Sequence, residues 1–227
     1  MISVFWVHVA LLLKVHSSSC FTYCIGAIKI SHCVRNDIHR IYYFYAKMIT
    51  IKKVETHELD ALLQYSKKTF YEFFAHLNDP LHFEAYVAVA FAPEKMLSEL
   101  INPDSEFYFA IIEEDIAGYI KLNIKDAQNE FKAENGLEVE RIYVSGEYHG
   151  KHIGRQLLNF AIEKGQQLQK DFIWLGVWEH NQKAIGFYRA HGFEVCGSHD
   201  FILGEDRQTD LLMKRSLITT DLYDYTD

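Results

Sequence analysis

The stretch Arg141-Ile-Tyr-Val144, followed by Tyr148-His-Gly-Lys-His-Ile-Gly-Arg155, gathers residues that could hold an anion. An extended β-type run empties into a glycine-bearing loop, and the loop opens directly into a helical pattern. Chains use this arrangement where backbone N–H groups and a helix N-terminus converge on a negative ligand. Lys151 and Arg155 add fixed positive charge beside the helix start, where the macrodipole is already positive. The expected guest is a phosphate. Just upstream, Glu138 and Glu140 lie two apart on the incoming strand, so alternation puts both carboxylates on one face. Two acids so placed are candidates for proton transfer; the bland alternative is a pair of surface charges on a strand.

Those residues need a sheet to carry them and helices to back it. Ile153, Leu157, Leu158, Ala161, Ile162 and Leu168 recur at helical spacing after the loop. Upstream, a strand at 49–54 precedes a helix from about Thr56 or Glu58 to Phe74, with Leu59, Leu62, Leu63 and Phe70 on its apolar side. Asn78-Asp-Pro80 stops that helix, because proline disfavours helical backbone in the residue before it. A second helical stretch runs to about Phe91, and a third, with Pro93 near its start, to Leu100. Residues 106–113 and 116–126 read as a hairpin around Glu114-Asp115, and 138–145 as the strand entering the loop. The continuously apolar run 172–177 predicts a strand covered on both faces. A helix over 181–190 closes near Gly192, and 194–203 with 209–214 form a last hairpin around Gly204-Glu-Asp206. The order predicts an α/β fold, a mixed central sheet with helices on both faces.

At 227 residues and 49% hydrophobic composition the chain can bury one good core. The formal net charge is −8, unevenly spread. Residues 1–47 carry Lys14, Lys29, Arg35, Arg40 and Lys47 against Asp37 alone, a net of +4, which leaves −12 for the remainder. So acidic a body disfavours nucleic acid and anionic membrane surfaces and favours small cationic substrates, simple solubility being the alternative. Cys20, Cys24 and Cys33 sit in the N-terminal stretch and only Cys196 in the body, so no disulfide framework is expected and a cytoplasmic location fits. Twelve histidines include no pair with both ligand spacing and a supporting acid, so no metal is expected. The apolar run 4–13 is too short to span a bilayer, and no Lys or Arg precedes it as in a secretory signal. Abrupt shifts in charge and in Cys and His usage place the domain at 48–217, with 1–47 an N-terminal extension outside the fold. Residues 218–227 read as an acidic, solvated tail.

The order strand, glycine-bearing loop and helix, then Phe172-Ile-Trp-Leu-Gly-Val-Trp178, Asn181-Gln-Lys-Ala-Ile-Gly-Phe-Tyr188 and His191-Gly-Phe193, resembles the GNAT superfamily of N-acetyltransferases. The family's loop signature is Gln or Arg, two residues, Gly, one residue, then Gly or Ala. This chain has His149 and His152 at the first two signature places and Gly154 at the third. His199-Asp-Phe-Ile-Leu-Gly204 and Gln208-Thr-Asp-Leu-Leu-Met213 are further similar to the PaiA-type polyamine acetyltransferases. The resemblance covers roughly residues 48–217. It implies the GNAT fold, whose sheet splays open midway to admit acetyl-CoA, and transfer of an acetyl group to a primary amine such as spermidine or spermine.

The resemblance also implies roles. Glu140 takes the place of the base, directly or through water, and Glu138 fits the base position of other branches. A base is needed because an alkylammonium of pKa near 10.4 is deprotonated in only on the order of one molecule in a thousand at neutral pH. Tyr188 falls where the family places its general acid; a tyrosine in an Ile-Gly-Phe-Tyr run could equally be core packing. Ile142, Tyr143 and Val144 would pair the pantetheine arm through their backbone as an added strand does. His149, Gly150, Lys151, His152, Ile153, Gly154 and Arg155 would hold the phosphates. Asn181 would contact the arm or its water, or merely cap a helix. Phe70, Tyr71, Phe73 and Phe74 with Glu72 suit a flexible polycation, or are the core side of a helix. A peptide or protein N-terminal acetyltransferase and a non-catalytic acetyl-CoA-binding regulator stay open, as does a homodimer.

Overall fold

The computed structural model describes residues 22–25, 28–31, 49–203 and 206–218. By its backbone contacts the chain divides into two units, Met1–Lys47 and Met48–Asp227. In the first, β1 (Thr22–Ile25) pairs antiparallel with β2 (Ile28–Ser31). What was expected of the rest of 1–47, of the turn at 204–205 and of the tail beyond Ile218 lies outside the described residues.

The second unit is a seven-stranded open sheet with helices on both faces. Its strands are β3 (Ile49–Lys53), β4 (Ser105–Ile112), β5 (Asp115–Asn123), β6 (Gly136–Val144), β7 (Phe172–Trp178), β8 (Glu194–Leu203) and β9 (Asp206–Ser216). They stand in the order β3-β4-β5-β6-β7-β9-β8. Every neighbouring pair is antiparallel except β6 and β7, which are parallel. Among the described residues five α-helices complete it: α1 (Leu59–Phe74), α2 (Pro80–Ala90), α3 (Pro93–Ile101), α4 (Ile153–Gln167) and α5 (Gln182–Ala190). Among the described residues no helix is long and apolar enough to cross a membrane.

Local chemistry explains the helix boundaries. Asp79 caps α2, its Oδ1 accepting from the N–H of Leu81 at 2.9 Å and of His82 at 3.3 Å, with Pro80 in the first helical position. Pro93 opens α3 in the same way. Asn181 caps α5 through Ala184 N, and Gly192, at φ +80°, follows its end. Where both were given, expected and observed helix boundaries differ by at most three residues, the largest gap being at α1, where Thr56–Glu58 form a 3₁₀ turn before the helix.

The two faces hold separate cores. Ile153, Leu157, Leu158 and Ala161 of α4 with Ile185 of α5 pack on one face against Ile120, Leu137, Val139 and Ile173. On the other, Leu62 and Phe70 of α1, Phe83 of α2 and Met96 of α3 cover Phe107, Phe109 and Tyr119. Strand β7, between β6 and β9, buries both sides of its central residues, which is why its sequence is unbroken in hydrophobicity.

The parallel pair is short. Only Gly136, Leu137 and Glu138 pair with Phe172, Ile173 and Trp174; beyond Glu138 the two strands part. One glycine controls how closely β5 and β6 approach beside this opening. A Cβ at Gly118 would lie 2.9 Å from the Tyr143 carbonyl oxygen, a backbone atom that cannot rotate away. Gly118→Ala is therefore expected to lower stability by about 1–3 kcal/mol, read as a reduced denaturant midpoint with unchanged m-value.

Candidate active site

Where β6 and β7 diverge, a cavity of about 620 Å³ opens between them. β6 contributes residues 138–143 to its wall, and β7 contributes Trp174, Gly176, Val177 and Trp178. Phe70, Phe73 and Phe74 of α1 line it from one side, and His199 to Leu203 of β8 from another. The Tyr86 and Phe201 rings, 5.3 Å apart and edge-to-face, join α2 to β8 beside it. Gln208 Nε2 donates to Asn78 Oδ1 at 2.7 Å and ties β9 to the α1–α2 turn. Of the α1 aromatics weighed for a polycation, Phe70 is core, stacked on Phe83 at 5.3 Å, whereas Phe73 and Phe74 are half-buried at the cavity. Tyr71 instead donates to Glu84, and Glu72 accepts from Gly146 N, so neither lines it.

Of the residues expected to bind cofactor, Ile142, Tyr143, Asn181 and Tyr188 line this cavity. Val144 and residues 149–155 stand beyond it, at the strand end and the start of α4. The loop turns through a 3₁₀ segment (Gly146–Tyr148), and Gly150 then takes φ +78°. His152, next to the first helical residue, sits at φ +62°, a left-handed conformation that glycine adopts without strain. Its side chain is exposed and makes no capping bond. The first helical bond runs from Gln156 N to His152 O, so the N–H groups of Ile153, Gly154 and Arg155 lie outside the helix's own bonding. A Cβ at Gly146 or Gly150 would meet nothing within 4 Å, and one at Gly154 only Val144 Cγ2 at 3.9 Å. His149 turns back, its Nε2 3.0 Å from Val144 O and its ring 5.7 Å from that of Phe73. Lys151 lies over the Tyr148 ring at 4.5 Å. Open N–H groups, added positive charge and open space suit a phosphate; the unpaired edge of β6 suits an amide-bearing arm leading to the cavity.

The two carboxylates share a face, as alternation requires, but that alternation then breaks. β5 and β6 shift register at Lys121/Leu122: Leu122 pairs with Val139 and Lys121 with Arg141, leaving Glu140 without a partner in the ladder. In this bulge Leu137 and Val139 face the α4 core, and so do Ile142 and Val144, whereas Tyr143 faces the α1 core. Glu140 and Arg141 therefore lie together, with Arg141 Nη2 3.0 Å from Glu140 Oε1. Asn123 Nδ2 donates to both acids, at 3.0 Å to Glu138 Oε2 and 2.5 Å to Glu140 Oε2.

Their environments differ in sign. Lys121, only 4% exposed, places Nζ 2.5 Å from Glu140 and 3.0 Å from Glu99 of α3. Arg141 likewise reaches Glu99, at 2.9 Å. Burial alone would raise the Glu140 pKa, but Arg141 and Lys121, with hydrogen bonds from Lys121 and Asn123, hold it at about 2. Glu138 is pushed above the usual carboxylate range by burial and then by the Glu140 charge, against hydrogen bonds from Asn123 and Asn129. Asn129 donates its backbone N–H to Glu138 Oε2 at 3.0 Å and its amide to Oε1 at 2.7 Å.

Tyr188 reaches the cavity from α5. Burial raises its pKa, so at neutral pH it holds its proton, and its hydroxyl makes no hydrogen bond among the described residues. Asn181 serves as the helix cap, Oδ1 accepting from Ala184 N at 3.1 Å, and also lines the cavity. Several lining residues carried no sequence signal. Asn129 and Glu130 lie on the loop between β5 and β6, and Glu130 Oε1 is 3.2 Å from His199 Nδ1. Asp210 Oδ2 is 3.9 Å from His199 Nε2. Within this group only His199 and Asp210 fall in the stretch that drew attention by resemblance. Replacing the left-handed residue tests the loop: His152→Gly is expected to raise stability by up to about 1 kcal/mol in denaturant unfolding, without weakening the Kd for coenzyme A.

Comparison with known proteins gives this geometry a context. The model of the acetyltransferase (GNAT) family matches residues 59–193. An uncharacterized N-acetyltransferase encoded in the pepI 3′ region of Lactobacillus delbrueckii subsp. lactis is 39% identical over 170 residues, 75% of this chain and 98% of that protein. The spermidine N(1)-acetyltransferase of Thermoplasma acidophilum is 28% identical over 163 residues, 68% of this chain and 95% of that one. The crystal structure of a PaiA N-acetyltransferase from Thermoplasma acidophilum in complex with coenzyme A superposes with a TM-score of 0.61. It has 24% identity and covers 74% of this chain and 99% of that one.

Proposed function

We propose that this chain, which belongs to the GNAT family of acetyltransferases, transfers the acetyl group of acetyl-CoA to a primary amine of a polyamine, in the cavity between β6 and β7. The observation that carries the acceptor reading is the charge of that cavity. Glu130, Glu138, Glu140, Asp200 and Asp210 line it against Lys95, Arg141 and His199, and both cations nearest the strand bulge are already engaged by acids. A flexible polycation finds carboxylates there and the half-buried faces of Phe73 and Phe74. The similarity to a spermidine N(1)-acetyltransferase supports the same acceptor class.

When bound, acetyl-CoA supplies the thioester carbonyl that the amine attacks. The unbonded N–H groups at the start of α4, with Lys151 and Arg155, would hold its phosphates. The backbone of Ile142, Tyr143 and Val144 would take the arm along the open edge of β6. The proton roles divide between the two acids. Glu140, held ionised by Lys121 and Arg141, is a weak base whose charge those two cations take up. Glu138, raised by burial and by that same neighbour, is the stronger proton acceptor, reached directly or through water. Of the two acids the resemblance offers as base, Glu140 and Glu138, we therefore favour Glu138. Tyr188, protonated at neutral pH, donates to the departing thiolate.

A thiol-release assay with acetyl-CoA against spermidine, spermine, free amino acids and short peptides tests the acceptor. The polyamines are expected to show the highest kcat/KM; turnover confined to peptides overturns the reading. Tyr188→Phe is expected to reduce kcat about 100-fold with the Kd for coenzyme A nearly unchanged. A base must be deprotonated to act, so wild-type kcat/KM should fall as pH drops through the Glu138 pKa. Glu138→Gln is expected to remove that acidic limb, and a limb that survives the substitution removes Glu138 from the role.

A further inference from the structure

Glu99, Lys121, Glu140 and Arg141 form a closed ring in which each acid touches both bases. Lys121 Nζ bridges Glu99 Oε2 and Glu140 Oε2 at 3.0 and 2.5 Å. Arg141 bridges the same two acids, Nη1 at 2.9 Å from Glu99 and Nη2 at 3.0 Å from Glu140. The ring is largely out of water: side-chain exposure is 4% for Lys121, 13% for Arg141, 14% for Glu99 and 19% for Glu140. Apolar groups enclose it further, with Lys121 over the Phe107 ring at 5.5 Å, Arg141 over Phe91 at 5.7 Å and the Met96 sulfur 3.3 Å from Arg141 Nη1.

Four buried charges with apolar neighbours are costly relative to well-packed hydrophobic side chains, so their presence calls for an account other than stability. Two positive and two negative charges cancel. Glu138 sits immediately outside, shares the Asn123 amide with Glu140, and has no cationic partner among the described residues. The ring also spans three elements, α3, β5 and the β6 bulge, and Glu99 and Lys121 do not line the cavity. The other carboxylate, ammonium and imidazole groups that line the cavity with Glu138 are Lys95 on α3, Glu130 on the preceding loop, His199 and Asp200 on β8, and Asp210 on β9.

We propose that the ring is a positioning device: Lys121 holds Glu140 ionised and in place, Glu99 offsets the charge of the two cations, and these two residues, which touch no substrate, so set the proton affinity of Glu138. The proposal rests on the reading of Glu138 as proton acceptor. Its consequence is a pair of effects with opposite sign. Removing the Lys121 charge leaves the ring at −1, which raises the proton affinity of Glu138. Removing the Glu99 charge leaves it at +1, which lowers that affinity. A merely structural contact would lower stability in both variants and move neither limb.

The experiment compares the acidic limb of kcat/KM, with acetyl-CoA and spermidine, in wild type, Lys121→Met, Glu99→Gln, Lys121→Arg and Glu138→Gln. Lys121→Met is expected to move the limb to higher pH by roughly half a unit or more, and Glu99→Gln to lower pH by a similar amount. Lys121→Arg, which retains the charge, should restore the wild-type limb. Should Lys121→Met fail to fold, the near-isosteric Glu99→Gln decides by the sign of its shift. If Glu138→Gln abolishes the limb but Glu99→Gln leaves it unmoved or shifts it upward, the ring has no such role and the Glu138 reading stands. If the limb persists in Glu138→Gln, the assignment of the base fails first, and the ring's proposed action on it fails with it.

Discussion

The site depends on how briefly β6 and β7 stay together. Their parallel ladder holds for three residues on each strand and then ends, while each remains paired on its other side, β6 to β5 and β7 to β9. The sheet therefore continues through the opening without unravelling. A strand edge with unpaired N–H and C=O groups is ordinarily a liability. Here that edge is turned inward onto a cavity whose other walls include α1, α2, α5, β8 and β9. The tie between the Tyr86 and Phe201 rings and the bond from Gln208 to Asn78 close the far side with segments more than a hundred residues apart in the chain.

The second constraint is the extra residue in β6. Without the bulge, strict alternation would send Arg141 and Tyr143 to the α4 face and keep Ile142 and Val144 with the acids. With it, Glu138, Glu140, Arg141 and Tyr143 all gather on the α1–α3 side, and Ile142 and Val144 enter the opposite core. One unpaired residue thus turns a run of alternating polarity into a charge cluster above an apolar floor. It also separates the two carboxylates chemically: one lies against two cations, the other against two amides and a like charge.

Much of the architecture was legible from local rules. Apolar spacing located α1 and α4, Pro80 marked the break after α1 and Pro93 the start of α3, and the unbroken hydrophobicity of 172–177 marked a doubly covered strand. Those signals are local because helix caps, proline stereochemistry and amphipathic periods act within a few residues. The left-handed backbone at His152 was not legible, since nothing in a histidine requires it. Nor were Asn129 and Glu130, whose loop has no periodicity and whose importance comes from what β6 and β8 present to them.

The amino-acid order by itself determined the element sequence, the acid-rich body and the strand–loop–helix unit, together with the candidates Glu138, Glu140 and Tyr188. The element sequence, the acid-rich body, the strand–loop–helix unit and the acid pair follow from residue types at short, fixed spacing, whereas Tyr188 stood out through the family resemblance. Which carboxylate faces cations and which faces amides was decided only by the tertiary structure. Lys121 lies seventeen and nineteen residues before the two acids and Glu99 about forty, and a register shift between two strands aligns them. Burial then multiplies the effect of each charge, because field strength rises as water is excluded. No window of neighbouring residues contains that information; it arises when the helix α3 and the two strands are packed against one another.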